Sequence, residues 1–285
     1  MRALWNMQKK SIIQKNSGLK AERPIGIFDS GIGGLTVFKA LRKLMPQENM
    51  IYFGDTAHLP YGSKSRASII QFSVEIAHFL CQQKIKALVV ACNTSSAVAL
   101  SAIKKAVSVP VEGVIVPGAR ACVRRGFRRI GVIGTEGTVR SGAYAAEIKR
   151  FSPRARVFEA ACPLFVPLVE EGWWKYGVTE EVARIYLKPL QKARVDSLVL
   201  GCTHYPVIKP VISRVMGKNV SLIDSGEHTA QEFEKTLEAL NLRKRTGRGW
   251  SRFYVSDDPE RFLRLSRRFL GSSLAVKRVL KKNFE

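Results

Sequence analysis

Two stretches of this chain end an apolar run in a cysteine, and together they restrict the folds open to it. Asp196 to Pro206 reads D-S-L-V-L-G-C-T-H-Y-P: Leu198, Val199 and Leu200 have the pattern of a buried strand, which Gly201 ends before Cys202, Thr203 and His204. Ala87 to Ala97 (A-L-V-V-A-C-N-T-S-S-A) repeats the grammar: an apolar run, a small residue, Cys92, then hydroxyl residues suited to starting a helix. In open α/β sheets, ligands sit in the crevice beyond the carboxyl ends of the strands. Both thiols are therefore expected at a ligand-binding edge, facing one another across a single substrate.

The rest of the chain follows the same alternation. Ile25 to Phe28 predicts a strand, Asp29-Ser30-Gly31-Ile32-Gly33-Gly34 a glycine-rich turn, and Leu35 to Met45 a helix from the spacing of Leu35, Phe38, Leu41 and Leu44. Further strands are predicted at Met50 to Phe53, Ala87 to Ala91, Val111 to Val116, Ile130 to Ile133, Val157 to Ala161, Val220 to Ile223 and Arg252 to Val255. Between them, helices are predicted from about Ser65 to Gln83, Ser95 to Val107, Thr179 to Ala193, Val207 to Met216 and Thr229 to Leu240, with Pro259 to Leu270 last. Strands and helices alternating at this spacing predict mainly parallel sheets covered on both faces. Ile130-Gly131-Val132-Ile133-Gly134-Thr135 echoes Ile25-Gly26-Ile27-Phe28-Asp29-Ser30 at nearly the offset that separates Cys92 from Cys202. A duplicated α/β half is the expectation, the halves related by pseudo-two-fold symmetry with a shared cleft between them. The divisions are 1–22, a basic and disordered extension; 23–117 plus 228–285, a first α/β domain to which the late strand returns; and 118–227, a second.

Composition bounds the function. The five cysteines are an odd number without a C-x-x-C pair, and the start of the chain lacks an apolar secretory core, so free thiols in a reducing cytoplasm are expected. No stretch is apolar over the roughly 18 residues a membrane span needs, which predicts no membrane insertion. The formal charge of +24 attracts polyanions. The basic residues are spread, without an RNA-binding aromatic motif or zinc spacing, so nucleic acid is expected only as a non-specific partner of a basic surface.

A cysteine hydrolase needs one thiol and a histidine base. Two matching thiols suit a different task, taking a proton from one face of a carbon and returning one to the other. Thiol pKa values fall at helix N-termini or beside cations, so either site could hold a thiolate near neutral pH, and which thiol is ionised at rest is left open. Cys81, Cys122 and Cys162 lie in apolar or helical patterns and read as structural. A strict G-x-G-x-x-G is absent because Thr36 stands where the third glycine belongs, which disfavours a dinucleotide. Asp29 suits a substrate ammonium or a neighbouring thiol's proton, and Ser30 a carboxylate. Asn93, Thr94 and Thr203 are expected at helix starts, whose free N–H groups favour anions. His204 stands out beside Cys202, Glu170 begins a short helix after a loop, and no metal-ligand spacing is present. A racemase for aspartate or another small acid fits the same residues.

At these positions the sequence resembles the glutamate racemases. The likeness spans about Pro24 to Gly271 and rests on F-D-S-G-I-G-G-L-T-V, G-D-T-A-H-L-P-Y-G, A-C-N-T-S-S-A, C-P-L-F-V-P-L-V-E and L-G-C-T-H-Y-P in order, with D-P-E-R-F near the end. It implies cofactor-independent interconversion of L- and D-glutamate, supplying D-glutamate for peptidoglycan, at a site between two α/β domains. By motif, Cys92 acts on the D-enantiomer and Cys202 on the L-enantiomer, and Asp29, Glu170 and His204 assist proton transfer. Asp29, Ser30, Tyr61, Gly62, Asn93, Thr94, Thr203 and His204 line the substrate site. His58 stands where many members have Arg, and Ser96 replaces a common Ala. A homodimer is expected, with no cofactor or metal and with a nucleotide-sugar precursor as a regulator some extended members use.

Overall fold

The computed structural model describes residues 20–271 and 279–282. The chain enters the first sheet at β1 (Ile25–Asp29), turns through its glycines and forms α1 (Leu35–Leu44), whose Leu35, Phe38 and Leu41 are buried. Then come β2 (Met50–Gly54), α2 (Arg66–Gln82) and β3 (Ala87–Val90), the Ser65 hydroxyl capping α2 by accepting from the Ser68 N–H. The helix expected from Ser95 to Val107 is two, α3 (Asn93–Val98) and α4 (Leu100–Ala106), which meet at Ala99. β4 (Val111–Gly113) is shorter than the expected strand to Val116, because Ile115 and Val116 open an unforeseen helix, α5 (Ile115–Arg124), that carries the chain to the second sheet.

There β5 (Arg129–Gly134), α6 (Glu136–Arg140), α7 (Ala143–Phe151), β6 (Arg156–Ala161), α8 (Phe165–Glu171) and α9 (Gly177–Lys192) lead to β7 (Ser197–Gly201). A short 3₁₀ turn at Tyr205–Ile208 precedes α10 (Lys209–Met216), and β8 (Ser221–Asp224) completes the sheet. The chain returns through α11 (Ser225–Ala239), β9 (Ser251–Val255), α12 (Pro259–Leu270) and β10 (Val279–Lys281).

The sheet orders are β10-β9-β2-β1-β3-β4 and β6-β5-β7-β8, with every described pairing parallel. The fold is thus α/β with two parallel sheets, as the alternating pattern predicts, and the late strand β9 joins β2 of the first sheet. Register places the chemistry. Phe28 lies level with Val90, so Asp29, Ser30 and Cys92 leave adjacent strands at one edge. Gly134 lies level with Gly201, so Thr135 and Cys202 leave the second sheet in the same way. One apolar core runs through both, from Ile27 and Phe38 to Leu200 and Ile212, with Phe233 and Phe262 of the returning segment inside it.

The expected extension lies outside the described residues as far as residue 19. Residues 20–22 are held to the first sheet: the Ala21 carbonyl accepts from Lys86 Nζ at 2.6 Å and the Glu22 carbonyl from Asn49 at 2.8 Å. Lys86 is paired in turn with Glu48 at 2.5 Å, both side chains almost wholly buried. Glu48 also accepts from the Lys244 N–H at 2.8 Å, which fastens the returning segment where the chain begins its fold. Removing Lys86 leaves the buried Glu48 carboxylate with only Arg243, 3.5 Å away, as an ionic partner, so Lys86→Met is expected to cost about 3 kcal/mol. Chemical denaturation checks this, and a change below about 1 kcal/mol would place the pair among weak surface contacts.

Candidate active site at the facing sheet edges

The two carboxyl edges meet around a small cavity lined by Ser30, Tyr61, Gly62, Cys92, Asn93 and Thr94 from the first sheet and by Thr135, Gly201, Cys202, Thr203 and His204 from the second. The sheets approach so closely that Gly33 has no room for a side chain: a Cβ there would lie 2.4 Å from both Thr203 Oγ1 and His204 Nδ1. Gly62 is confined in the same way, its Cβ position falling 2.6 Å from that of Thr135. Across this contact Thr36 Oγ1 donates to the Thr203 carbonyl at 3.0 Å.

Cys92 is the N-cap of α3, its sulfur accepting from the Ser95 N–H at 3.5 Å while its thiol donates to Ser30 Oγ at 3.5 Å. Burial and the nearby Asp29 carboxylate push this thiol up to about 11. Desolvation outweighs the helix terminus here. Cys202 differs: a turn and a 3₁₀ segment follow it, so Thr203 does not open an α-helix as expected. Its sulfur lies 3.9 Å from His204 Nδ1, and His204 Nε2 lies 3.0 Å from Glu170 Oε1. Burial pulls the imidazole down, but hydrogen bonds to Cys202 and Glu170 and the charges on both lift it to about 10. Burial likewise raises Glu170, yet His204 and Arg261 hold it below the usual carboxylate range.

Asp29 and Glu170 stand behind the cavity wall. Asp29 is fully buried; its carboxylate accepts from the Gly31 N–H at 3.1 Å and from Thr203 Oγ1 at 3.4 Å. Burial raises its pKa against the lowering influence of His204. The Tyr61 hydroxyl donates to Asp55 Oδ2 at 2.5 Å, so this residue offers the cavity its ring. His58 is held by the same Asp55 at 2.9 Å and stacks on Phe72. Ser96, whose hydroxyl carried no expected consequence, donates to the Val90 carbonyl at 2.8 Å and accepts from the Val114 N–H at 3.2 Å, tying β3 to the start of α5.

Sequence reasoning missed the lining residues Leu59, Pro60, Thr135, Val166 and Gly201. Thr135 was within reach, since it occupies the place of Ser30 in the repeated half; its hydroxyl lies 2.8 Å from that of Thr94. No single-sequence signal singled out Tyr144, whose phenol donates to Asn93 Oδ1 at 2.7 Å from the opposite sheet. The amide nitrogen of the same Asn93 is buried without a protein partner among the described residues.

A family model described as Asp/Glu/Hydantoin racemase matches residues 35–233. A glutamate racemase of Geobacter metallireducens is 54% identical over 256 residues, covering 88% of this chain and 94% of its own length. The crystal structure of the Francisella tularensis glutamate racemase in complex with D-glutamate superposes with a TM-score of 0.86 at 39% identity, covering 93% of this chain and 98% of that one. The Escherichia coli glutamate racemase, solved with L-glutamate and the activator UDP-MurNAc-Ala, gives 0.73 at 28% identity, covering 92% of this chain and 98% of that one. Sheet topology, paired thiols and sequence thus agree, and the chain belongs to the Asp/Glu/Hydantoin racemase family.

Proposed function

We propose that this chain is a glutamate racemase that interconverts L- and D-glutamate by a two-base route through Cys92 and Cys202. The observation that carries this reading is that two buried thiols, one from the carboxyl edge of each sheet, line the same cavity. For L-glutamate, Cys202 as thiolate takes the α-proton, and the Cys92 thiol, held protonated by burial and Asp29, delivers its proton to the opposite face. In the reverse direction Cys92 takes the proton from D-glutamate and Cys202 returns one. Each sulfur has its own helper: Asp29 serves the Cys92 side, and the His204–Glu170 pair the Cys202 side. Ser30, Tyr61, Gly62, Asn93, Thr94 and Thr203 hold the substrate, with Thr203 hydrogen-bonded to Asp29 and Thr94 to Thr135. N–H groups at the start of α3 stabilise charge that develops on the carboxylate as the α-carbon loses its proton.

Among the described residues no helix is long and apolar enough to cross a membrane. The reading extends to a cytoplasmic homodimer that supplies D-glutamate for peptidoglycan and needs neither cofactor nor metal. Its domains are 23–117 plus 228–285 and 118–227, supported by a chain that leaves the first sheet after β4 and returns after β8. A nucleotide-sugar precursor is the regulator this reading admits, and nucleic acid would meet only the basic surface. Light scattering with and without the precursor tests both the dimer and the ligand.

Purified chain given L-glutamate and no cofactor should lose optical activity until the enantiomers are equal, and the Cys92→Ser, Cys202→Ser double variant should be inert. Racemisation that survives in that variant would overturn the two-thiol route. A second expectation concerns His204, whose pKa of about 10 stands above its ordinary 6.5. The stability its proton contributes is complete below pH 6.5 and is lost as pH rises through about 10. In Glu170→Gln the imidazole should titrate nearer 6.5, followed by the NMR shift of its ring protons; an unmoved titration would mean that Glu170 does not sustain the charge.

A further inference from the structure

Tyr144, at the start of α7, sits between the two halves of the site. Its ring fills a slot left by two glycines: a Cβ at Gly201, the residue before Cys202, would lie 3.1 Å from the ring edge, and one at Gly118 would lie 3.2 Å from it. Its hydroxyl reaches across to the first sheet and donates to Oδ1 of Asn93, the residue after Cys92, at 2.7 Å. Both residues are buried, Tyr144 completely and Asn93 to within 2%. The single ring thus touches the neighbour of each thiol.

This contact decides which way the Asn93 amide faces. The two ends of a carboxamide are nearly equal in shape and opposite in hydrogen-bonding character. A phenol that donates fixes the oxygen toward itself and turns the nitrogen away. Burial raises the Tyr144 phenol far above its ordinary range, so it retains the proton it donates. The nitrogen end is left buried and unpartnered among the described residues, on a side chain that lines the cavity. An orphaned buried donor is costly unless something accepts from it, and a substrate carboxylate is an acceptor of the right charge and size. We propose that Tyr144 is a positioning residue that orients the Asn93 amide so that its N–H₂ is presented to a carboxylate of the bound amino acid. The second sheet thereby prepares a binding group that belongs to the first.

The proposal rests on the racemase reading, and the two fail differently: loss of that reading shows as an inactive unaltered chain, whereas this proposal is tested by comparing variants of an active one. Tyr144→Phe keeps the ring in its slot and removes only the hydroxyl. Losing a correctly oriented donor to a charged group should raise KM for both enantiomers about tenfold or more while kcat changes far less. In an Asn93→Ala background the same substitution should add nothing, because the group it orients is gone. Asn93→Asp gives an independent reading: it places an acceptor where the N–H₂ stood, and should raise KM more than Asn93→Ala does. The proposal is overturned if Tyr144→Phe leaves KM unchanged, if it raises KM equally with and without Asn93, or if Asn93→Asp binds glutamate better than Asn93→Ala.

Discussion

The carboxylate of Asp29 is where the two sheets are tied chemically, and the shape of the cavity follows from how it is held. It is fully buried at the end of β1, accepts from the Gly31 N–H in its own turn, and accepts from the Thr203 hydroxyl across the cleft. Isolating a carboxylate from water is expensive unless donors or charges compensate. The glycine turn supplies one donor and the opposite edge a second, while the positive charge of His204 lowers the cost further. Satisfying Asp29 therefore draws Thr203 and His204 against the turn, and only glycine at position 33 leaves them room.

That close approach makes two similar thiols unequal. Burial and the field of Asp29 oppose the ionisation of Cys92, whereas Cys202 lies beside the His204 imidazole, whose charge is favoured by that sulfur and by Glu170. Glu170 is itself gripped from the returning segment, with Arg261 3.4 Å from its carboxylate and Arg268 bonded to its carbonyl. Matching registers place both sulfurs just beyond strand ends. Their surroundings, drawn from unrelated loops and helices, supply the difference a proton donor and a proton acceptor require.

Much of this was legible in the chain because it depends on local pattern. Apolar runs located β1, β3, β5 and β7, the repeat paired Cys92 with Cys202, and α12 has the bounds Pro259 to Leu270 that the sequence predicts. The failures have a common origin in tertiary context. Val114 to Val116 has the composition of a strand, yet the Val114 N–H is captured by Ser96 and the chain turns into α5. The helix start after Cys92 is visible in sequence, whereas the buried carboxylate that opposes its ionisation comes from a strand more than sixty residues away. Tyr144 carries no motif; its meaning comes from two glycines and an asparagine far from it in sequence.

Exchange with solvent during the first turnovers tests the central claim, that each thiol serves one face of the α-carbon. With L-glutamate in deuterium oxide, two bases that do not share a proton should place deuterium at Cα of the D-glutamate formed while the L-glutamate recovered stays protonated. Deuterium appearing equally in recovered substrate and product would show one base serving both faces, and would contradict the account.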